Sequence, residues 1–249
     1  MAVDVNTGEV VFPDFKYYKL DRDVTEIVDG AMRFTRPVKR FRIMHGDILN
    51  AAMTLLKNTD EEPKQRWVNA MLWSWYNWMP DYFFQAPASA THKYHPAWAD
   101  RPDGLALHSL AVCRVAASLS DILDLQPQAY NALIFAAWHH DMFKYGELEK
   151  YKDGEMTVHE HPVLGGGFFL LPAVQVIMSG LGISENECRN VSDLITTHAG
   201  PYRASRFSNL KLPECSGTLN KLLYKADYIA SRKEDGWVQD LLQEIPSEE

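Results

Sequence analysis

Apolar positions recur at helical spacing along most of the chain from Met44 onward. Between His45 and Lys57 they fall at Ile48, Ala51, Ala52, Leu55 and Leu56, one face of a helix. Thr59-Asp60-Glu61-Glu62-Pro63 predicts the next helix start, with early acids and a first-turn proline. Trp67, Met71, Trp75 and Trp78 then share one side, an aromatic stripe that reads as core. Residues 80–104 hold Pro80, Pro87, Pro96 and Pro102 and read as a loop carrying His92 and His95. A loop of that length inside a compact domain is often functional. Helices are predicted over Leu105 to Leu123 and Pro127 to His140, followed by a polar surface excursion from Glu147 to Thr157. The apolar segment from His161 to Leu181 is divided into two short helices by Pro172. Ser184-Glu185-Asn186-Glu187 is a capping box whose helix ends near His198, before Gly200-Pro201. Thr218 to Lys233 is a last strong helix, and Trp237 to Ile245 a short amphipathic tail. Gly165-Gly166-Gly167 matches no phosphate-loop spacing and predicts close helix packing.

Upstream the pattern changes. Val10-Val11-Phe12 and Phe15-x-Tyr17-Tyr18, with Pro13 between, suggest a short strand or an extended arm. Arg33, Arg36, Lys39, Arg40 and Arg42 form a cationic cluster, either a solvated segment or a subunit or substrate contact. The expected fold is therefore all-α: a helical domain over residues 44–249, preceded by a small irregular or β-containing extension over 1–43.

Composition adjusts this picture in three ways. The net charge of −8 argues against a broad basic surface for duplex nucleic acid or anionic membrane, though a local cationic pocket stays open. The three cysteines, Cys113, Cys188 and Cys215, have no CxxC spacing, so neither a disulfide framework nor a cysteine zinc site is expected. No secretory signal is recognised and no apolar run is expected to span a membrane, so the expectation is a cytoplasmic protein without membrane contact.

The chemistry concentrates at Ala136-Ala137-Trp138-His139-His140-Asp141-Met142-Phe143-Lys144, where an apolar run ends in imidazoles, a carboxylate and an ammonium. Burying these uncompensated would cost several kcal/mol. A divalent cation removes most of that cost, because neutral imidazole and carboxylate oxygen are ligands it accepts. Further candidates stand at helix ends or inside apolar helices: His108, His161, His198 and Asp227. His159, two residues before His161, is a second choice for that position. With His140 and Asp141 they supply four imidazoles and two carboxylates, a set able to bind two cations with Asp141 as the bridge.

The order His108, His140-Asp141, His161, His198, Asp227 resembles the metal-binding pattern of the HD-domain superfamily. Ala86-Pro87-Ala88-Ser89, Lys93-Tyr94-His95, Gly104-Leu105-x-x-His108-Ser109-Leu110, His140-Asp141-x-x-Lys144, His161-Pro162-x-x-Gly165 and Ala226-Asp227-Tyr228-Ile229-Ala230-Ser231-Arg232 extend the likeness to bacterial and phage HD hydrolases. They are also similar to the HD module of certain bacterial 3′-to-5′ exoribonucleases. The family's glycine pair is Asp103-Gly104 here, and Thr197-His198 stands where some binuclear relatives carry two histidines. The resemblance implies an HD-domain helical bundle holding one or two divalent ions (Mn, Fe, Co, Ni, Zn or Mg). His108, His140, Asp141 and Asp227 would hold the first, and His161 and His198, sharing Asp141, the second. It implies a phosphohydrolase or phosphodiesterase acting on a nucleotide or short oligonucleotide, and it is compatible with a homo-oligomer. Asp141, Lys144 and His95 are the candidate catalytic residues, with Lys144, Arg203 and Arg232 as phosphate contacts. Arg206 and Lys233 are further cationic candidates, and Tyr94, Trp98 and Tyr202 candidate base-stacking aromatics. Two other readings share this ligand order: a di-iron oxygenase, and a non-catalytic protein that keeps a metal for stability.

Overall fold

The helix spanning Gly104–Ile122 (α3) runs through the middle of the domain, and the rest is arranged around it. The computed structural model describes residues 2–7, 10–11, 25–28, 31–34, 42, 44–59, 63–91, 93, 95–146 and 156–232. His92, Tyr94, Lys233, the excursion over 147–155, the Trp237–Ile245 tail and most of the cationic cluster lie outside those residues.

The described residues form eight α-helices, as the apolar pattern predicts. Before α3 come α1 (Gly46–Thr54) and α2 (Gln65–Trp73). After it come α4 (Pro127–His139), α5 (His161–Phe168), α6 (Pro172–Gly180), α7 (Glu185–Thr197) and α8 (Thr218–Ala230). Short strands complete the set: β1 (Ala2–Asp4), β2 (Val10–Val11), β3 (Thr25–Val28), β4 (Ala31–Phe34) and β5 (Leu210–Lys211). β3 and β4 pair as an antiparallel hairpin, while β1 lies between β2 and β5. Because Val3 pairs with Lys211 and Asp4 with Leu210, the start of the expected extension is joined to the helical domain by a ladder.

By length and composition α3 is apolar enough to cross a membrane, contrary to the sequence expectation. Its apolar faces are instead covered by α1, α4 and α8. Small residues permit that approach: Ala106, Ser109, Ala111, Ala116 and Ala117 are buried among Leu105, Leu110, Val112 and Val115. The entry to α3 is strapped down by the proline-rich loop. Ala86 O accepts from Leu105 N (3.0 Å), and Ala99 O accepts from Ala88 N (2.8 Å). A side chain at Gly104 would sit 2.1 Å from Ala99 O, so the second residue of the Asp103-Gly104 pair has to be glycine.

The predicted aromatic stripe is core. Trp67, Met71, Trp75 and Trp78 are all buried, with Trp75 stacked on Trp138 at 5.7 Å and edge-on to Phe84 at 4.5 Å. Two details differ from the sequence pattern. α2 starts at Gln65 with Lys64 as its N-cap, so Pro63 falls before its first turn, which holds no acid; Lys64 N donates to Asn58 Oδ1 (3.2 Å), and Asp60 to Glu62 lie outside the described residues. The stripe also ends in a π-helical turn over Ser74–Trp78, with Met79 N reaching Ser74 O at 2.8 Å. Arg42 stabilises that turn, donating to the carbonyls of Trp75 and Met79 and pairing with Asp81. It is 7% exposed, so this member of the cationic cluster is a buried brace for backbone carbonyls.

The glycine run packs α5 against α7. A Cβ on Gly166 would lie 2.5 Å from Ser192 O and closer still to Thr196 Oγ1, and one on Gly165 2.9 Å from Ile195 Cγ2. The capping box forms as predicted, and Glu187 also receives both Nη atoms of Arg66 (2.6 and 2.9 Å), tying α7 to α2.

Two outcomes follow. Gly166→Ala gains at most about 1 kcal/mol of helix propensity. The clash with Ser192 O outweighs it, with overpacking costing about 1–3 kcal/mol, so thermal denaturation should show a lower Tm. For Glu187, burial raises the carboxyl pKa, but Arg66 and Ser184 outweigh it and hold the group below its usual range. Its contribution is therefore present above the unfolded pKa and lost as pH falls through the folded one. Glu187→Gln should cost about 1–3 kcal/mol near neutral pH. Urea melts should show that difference shrinking towards about pH 3.

Candidate metal centre

α4 stops at His139, and the residues that follow leave the helix in tight turns: Met142 N meets His139 O and Lys144 N meets Asp141 O, both at 3.0 Å. This segment is buried, so its carbonyls need partners. The Tyr82 hydroxyl serves Met142 O and Gly146 O at 2.8 Å each, and the Tyr145 hydroxyl donates to Pro87 O at 2.9 Å. These anchors hold Asp141 in the interior, 2% exposed.

Each oxygen of Asp141 faces its own pair of imidazoles. Oδ2 lies 3.4 Å from His140 Nε2 and 3.7 Å from His108 Nε2. Oδ1 lies 3.0 Å from His161 Nε2 and 3.7 Å from His198 Nε2. Asp227 Oδ1 approaches the first pair, 3.1 Å from His108 Nε2 and 3.7 Å from His140 Nε2. All six sequence-predicted ligands therefore meet, carried by α3, the α4 exit, α5, the α7 exit and α8.

Three of these rings are oriented in the same way. His140 Nδ1 contacts Ala137 O at 2.7 Å, His161 Nδ1 contacts Val158 O at 2.6 Å, and His198 Nδ1 contacts Ile195 O at 2.7 Å. A carbonyl only accepts, so each Nδ1 carries a proton, which leaves Nε2 as the inward-facing nitrogen that can serve as a ligand. His161 and His198 then bring two such nitrogens to 3.3 Å of each other. The Nε2 atoms of His108 and His140 are buried with no hydrogen-bond partner among the described residues, despite the carboxylates beside them. Lone pairs converging in this way, with oxygen anions among them, fit a cation. Three overlapping groups can hold a metal ion: His108, His140 and Asp141; His140, His198 and Asp227; and Asp141, His161 and His198.

Burial disfavours charge throughout, and the cluster sorts its members by neighbour. Burial lowers the pKa of His108 and of His161 despite the adjacent carboxylates. His140 is raised, since Asp141 and Asp227 outweigh its burial. Burial opposes ionisation of Asp141, but Lys144 and His140 overcome it and hold the carboxyl well below the usual range. Asp227 is likewise lowered, against its burial, by His108 and His140.

Other candidates take different places. Lys144 is 8% exposed and its ammonium contacts Asp141 Oδ2 directly. His95 packs edge-on to His108 with centroids 4.8 Å apart, and its Nε2 lies 3.3 Å from Ser231 Oγ, which itself reaches Asp227 Oδ1 at 3.3 Å. Burial and then the neighbouring His108 hold His95 neutral, its pKa lowered to about 2. Arg203 turns to its own loop, where Nε donates to Leu212 O at 2.8 Å and Nη1 pairs with Glu214 at 3.3 Å. These contacts brace the loop over Arg203 to Glu214. Arg206 lies over the Phe207 ring and Arg232 over that of Tyr228. Trp98 packs against the core. His159 bonds Leu210 O at 3.2 Å, which decides between the two histidines of that segment in favour of His161.

The sequence reading passed over one contributor. Ser231 lies four residues after Asp227, on the same helix face, and that spacing is the signal that would have found it. His139 is a core residue between Phe135 O (2.7 Å) and Ser74 Oγ (2.6 Å), its pKa lowered to about 3 by burial. Apolar periodicity alone does not separate it from His140.

Comparison with known proteins finds no matching family model, curated protein or solved structure.

Adding a divalent cation should raise the melting temperature and chelation should lower it. At 100-fold excess over Kd the gain is about 2.7 kcal/mol. The gain should fall as the solution is acidified, because the imidazoles must be neutral to bind. Differential scanning fluorimetry with and without EDTA measures both effects.

Proposed function

We propose that the chain is a metal-dependent phosphohydrolase of the HD-domain type, acting on a nucleotide or short oligonucleotide. The observation that carries this reading is the buried Asp141, whose two oxygens serve separate imidazole pairs while an ammonium stands against one of them. His108, His140, Asp141 and Asp227 would hold one divalent ion, and His161 and His198, with Asp141 shared, a second. Ions there supply Lewis acidity towards phosphoryl oxygens and lower the pKa of a coordinated water.

The remaining roles fall to the chain itself. Val158, Ala137 and Ile195 carbonyls fix the tautomers of His161, His140 and His198, so their Nε2 atoms are ready as ligands without rearrangement. Ser231 steadies Asp227, and His95 supports it from the other side of the hydroxyl. Lys144 supplies a buried positive charge, which matches an incoming phosphate oxygen. That ammonium, suited to a phosphate oxygen, inclines the reading to hydrolysis over the di-iron oxygenase that shares this ligand set.

Phosphate release from nucleotides, and nitrophenol release from bis-p-nitrophenyl phosphate, should appear with one or more of Mn²⁺, Co²⁺, Ni²⁺, Fe²⁺ and Mg²⁺. Asp141→Ala should reduce turnover by on the order of 10³-fold, and Lys144→Met should reduce kcat/KM by about 10- to 100-fold. Activity that survives the paired substitution His140→Ala and Asp141→Ala would sink the reading.

A further inference from the structure

Helix α8 carries more than a metal-ligand candidate. Tyr224 and Tyr228, one turn apart, have ring centroids 6.0 Å from each other. The Arg232 guanidinium carbon lies 3.9 Å over the Tyr228 ring, and Lys225 Nζ lies 5.2 Å from the Tyr224 centroid and 5.9 Å from that of Tyr228. Neither tyrosine belongs to the aromatic core, and both are half-buried, while Lys225 and Arg232 are exposed. No carboxylate pairs with either cation among the described residues. On the turn after His198, Tyr202 is 62% exposed. The turn that carries Tyr202 packs on Tyr224: a Cβ on Gly200, two residues before Tyr202, would lie 2.3 Å from Tyr224 Cδ2.

This patch adjoins the opening of the centre. The Asp227 side chain is 25% exposed whereas those of His108 and His140 are fully enclosed, so the cluster meets solvent on the α8 side. Helical spacing puts positions 224, 227, 228 and 231 on neighbouring parts of one face. Solvated surface residues would need neither two rings at one-turn spacing nor two cations set over them with no carboxylate partner among the described residues. A strand of single-stranded nucleic acid needs both: aromatic faces for successive bases and positive charge for the phosphates between them.

We propose that this face of α8 binds a single-stranded oligonucleotide, with bases stacked on Tyr228 and Tyr224 and the connecting phosphates beside Lys225 and Arg232. The inference rests on the phosphohydrolase reading for what becomes of the bound strand, but not for its binding. Two rings accommodate at least two nucleotides, so a strand should bind more tightly than a mononucleotide. A duplex, whose bases are already stacked and paired, should bind worse.

The test is fluorescence anisotropy with a fluorescein-labelled hexathymidylate carrying phosphorothioate linkages, which resist cleavage. Thymidine monophosphate and a duplex of the same length serve as competitors. The hexamer should bind best, with a log–log salt slope of about −1.4 for two phosphate contacts. Tyr228→Ala should weaken binding by about tenfold, while Tyr228→Phe, which keeps the ring, should stay within about twofold of the parent. Lys225→Glu combined with Arg232→Glu, both at exposed positions, should flatten the salt slope and remove most of the affinity. Absence of hexamer binding, or unchanged affinity in Tyr228→Ala at an unchanged melting temperature, overturns the proposal. A protein that hydrolyses nucleotides but ignores the hexamer has lost this platform and kept the phosphohydrolase reading. One that binds the hexamer and hydrolyses nothing has kept the platform and lost that reading.

Discussion

A buried carboxylate with two occupied sides is the constraint on which the rest of this structure depends. Asp141 is enclosed, ionised and flanked by four imidazole nitrogens and an ammonium. A charge in that position is tolerable only if its partners arrive from several directions at fixed distance. Four segments of the chain supply them and α8 adds Asp227 beside the first imidazole pair, so the packing of α3, α4, α5, α7 and α8 and the composition of the centre are one problem. The Gly165-Gly166 contact with α7 and the strapped entry of α3 bear on it directly: each sets where a histidine stands.

Helix ends solve a second problem at the same time. The last carbonyls of a helix have no partner within it. At the exits of α4 and α7 those of Ala137 and Ile195 are taken by the Nδ1–H of His140 and His198. One contact thereby satisfies a carbonyl, selects a tautomer and aims a lone pair inward. The negative end of the helix dipole also lies beside the groups that could hold a metal ion. His161 reaches the same arrangement through Val158 O, in the turn that leads into α5. His108 is the exception: it sits inside α3, its Nδ1 has no hydrogen-bond partner among the described residues, and its position is set by packing against His95 and His140.

α8 joins this interior to the surface. Asp227 and Ser231 face the cluster, while Tyr224, Tyr228 and Arg232 line the adjoining exposed side. The same helix thus sets a ligand and presents aromatic and cationic groups at its rim. A chain with net charge −8 keeps these cations local, which suits a short anionic strand better than an extended duplex.

Much of this was written in the order of the residues. Apolar periodicity located the helices, the Ser184–Glu187 box located the start of α7, and the histidines and aspartates stood out because acids and imidazoles need a reason to occupy apolar helices. What periodicity could not express was direction. It could not say that His139 turns into the aromatic core while His140, its neighbour, turns to Asp141, nor that His161 and not His159 points inward. Nor could it say that Arg42 would be buried as a brace or Arg203 spent on its own loop, because a guanidinium finds its acceptors through contacts distant in the chain. The sequence by itself determined which side chains were available and which helices carried them. Only the tertiary structure decided which of them share a point in space, since that follows from how closely the helices can approach and which carbonyls are left to hold each ring.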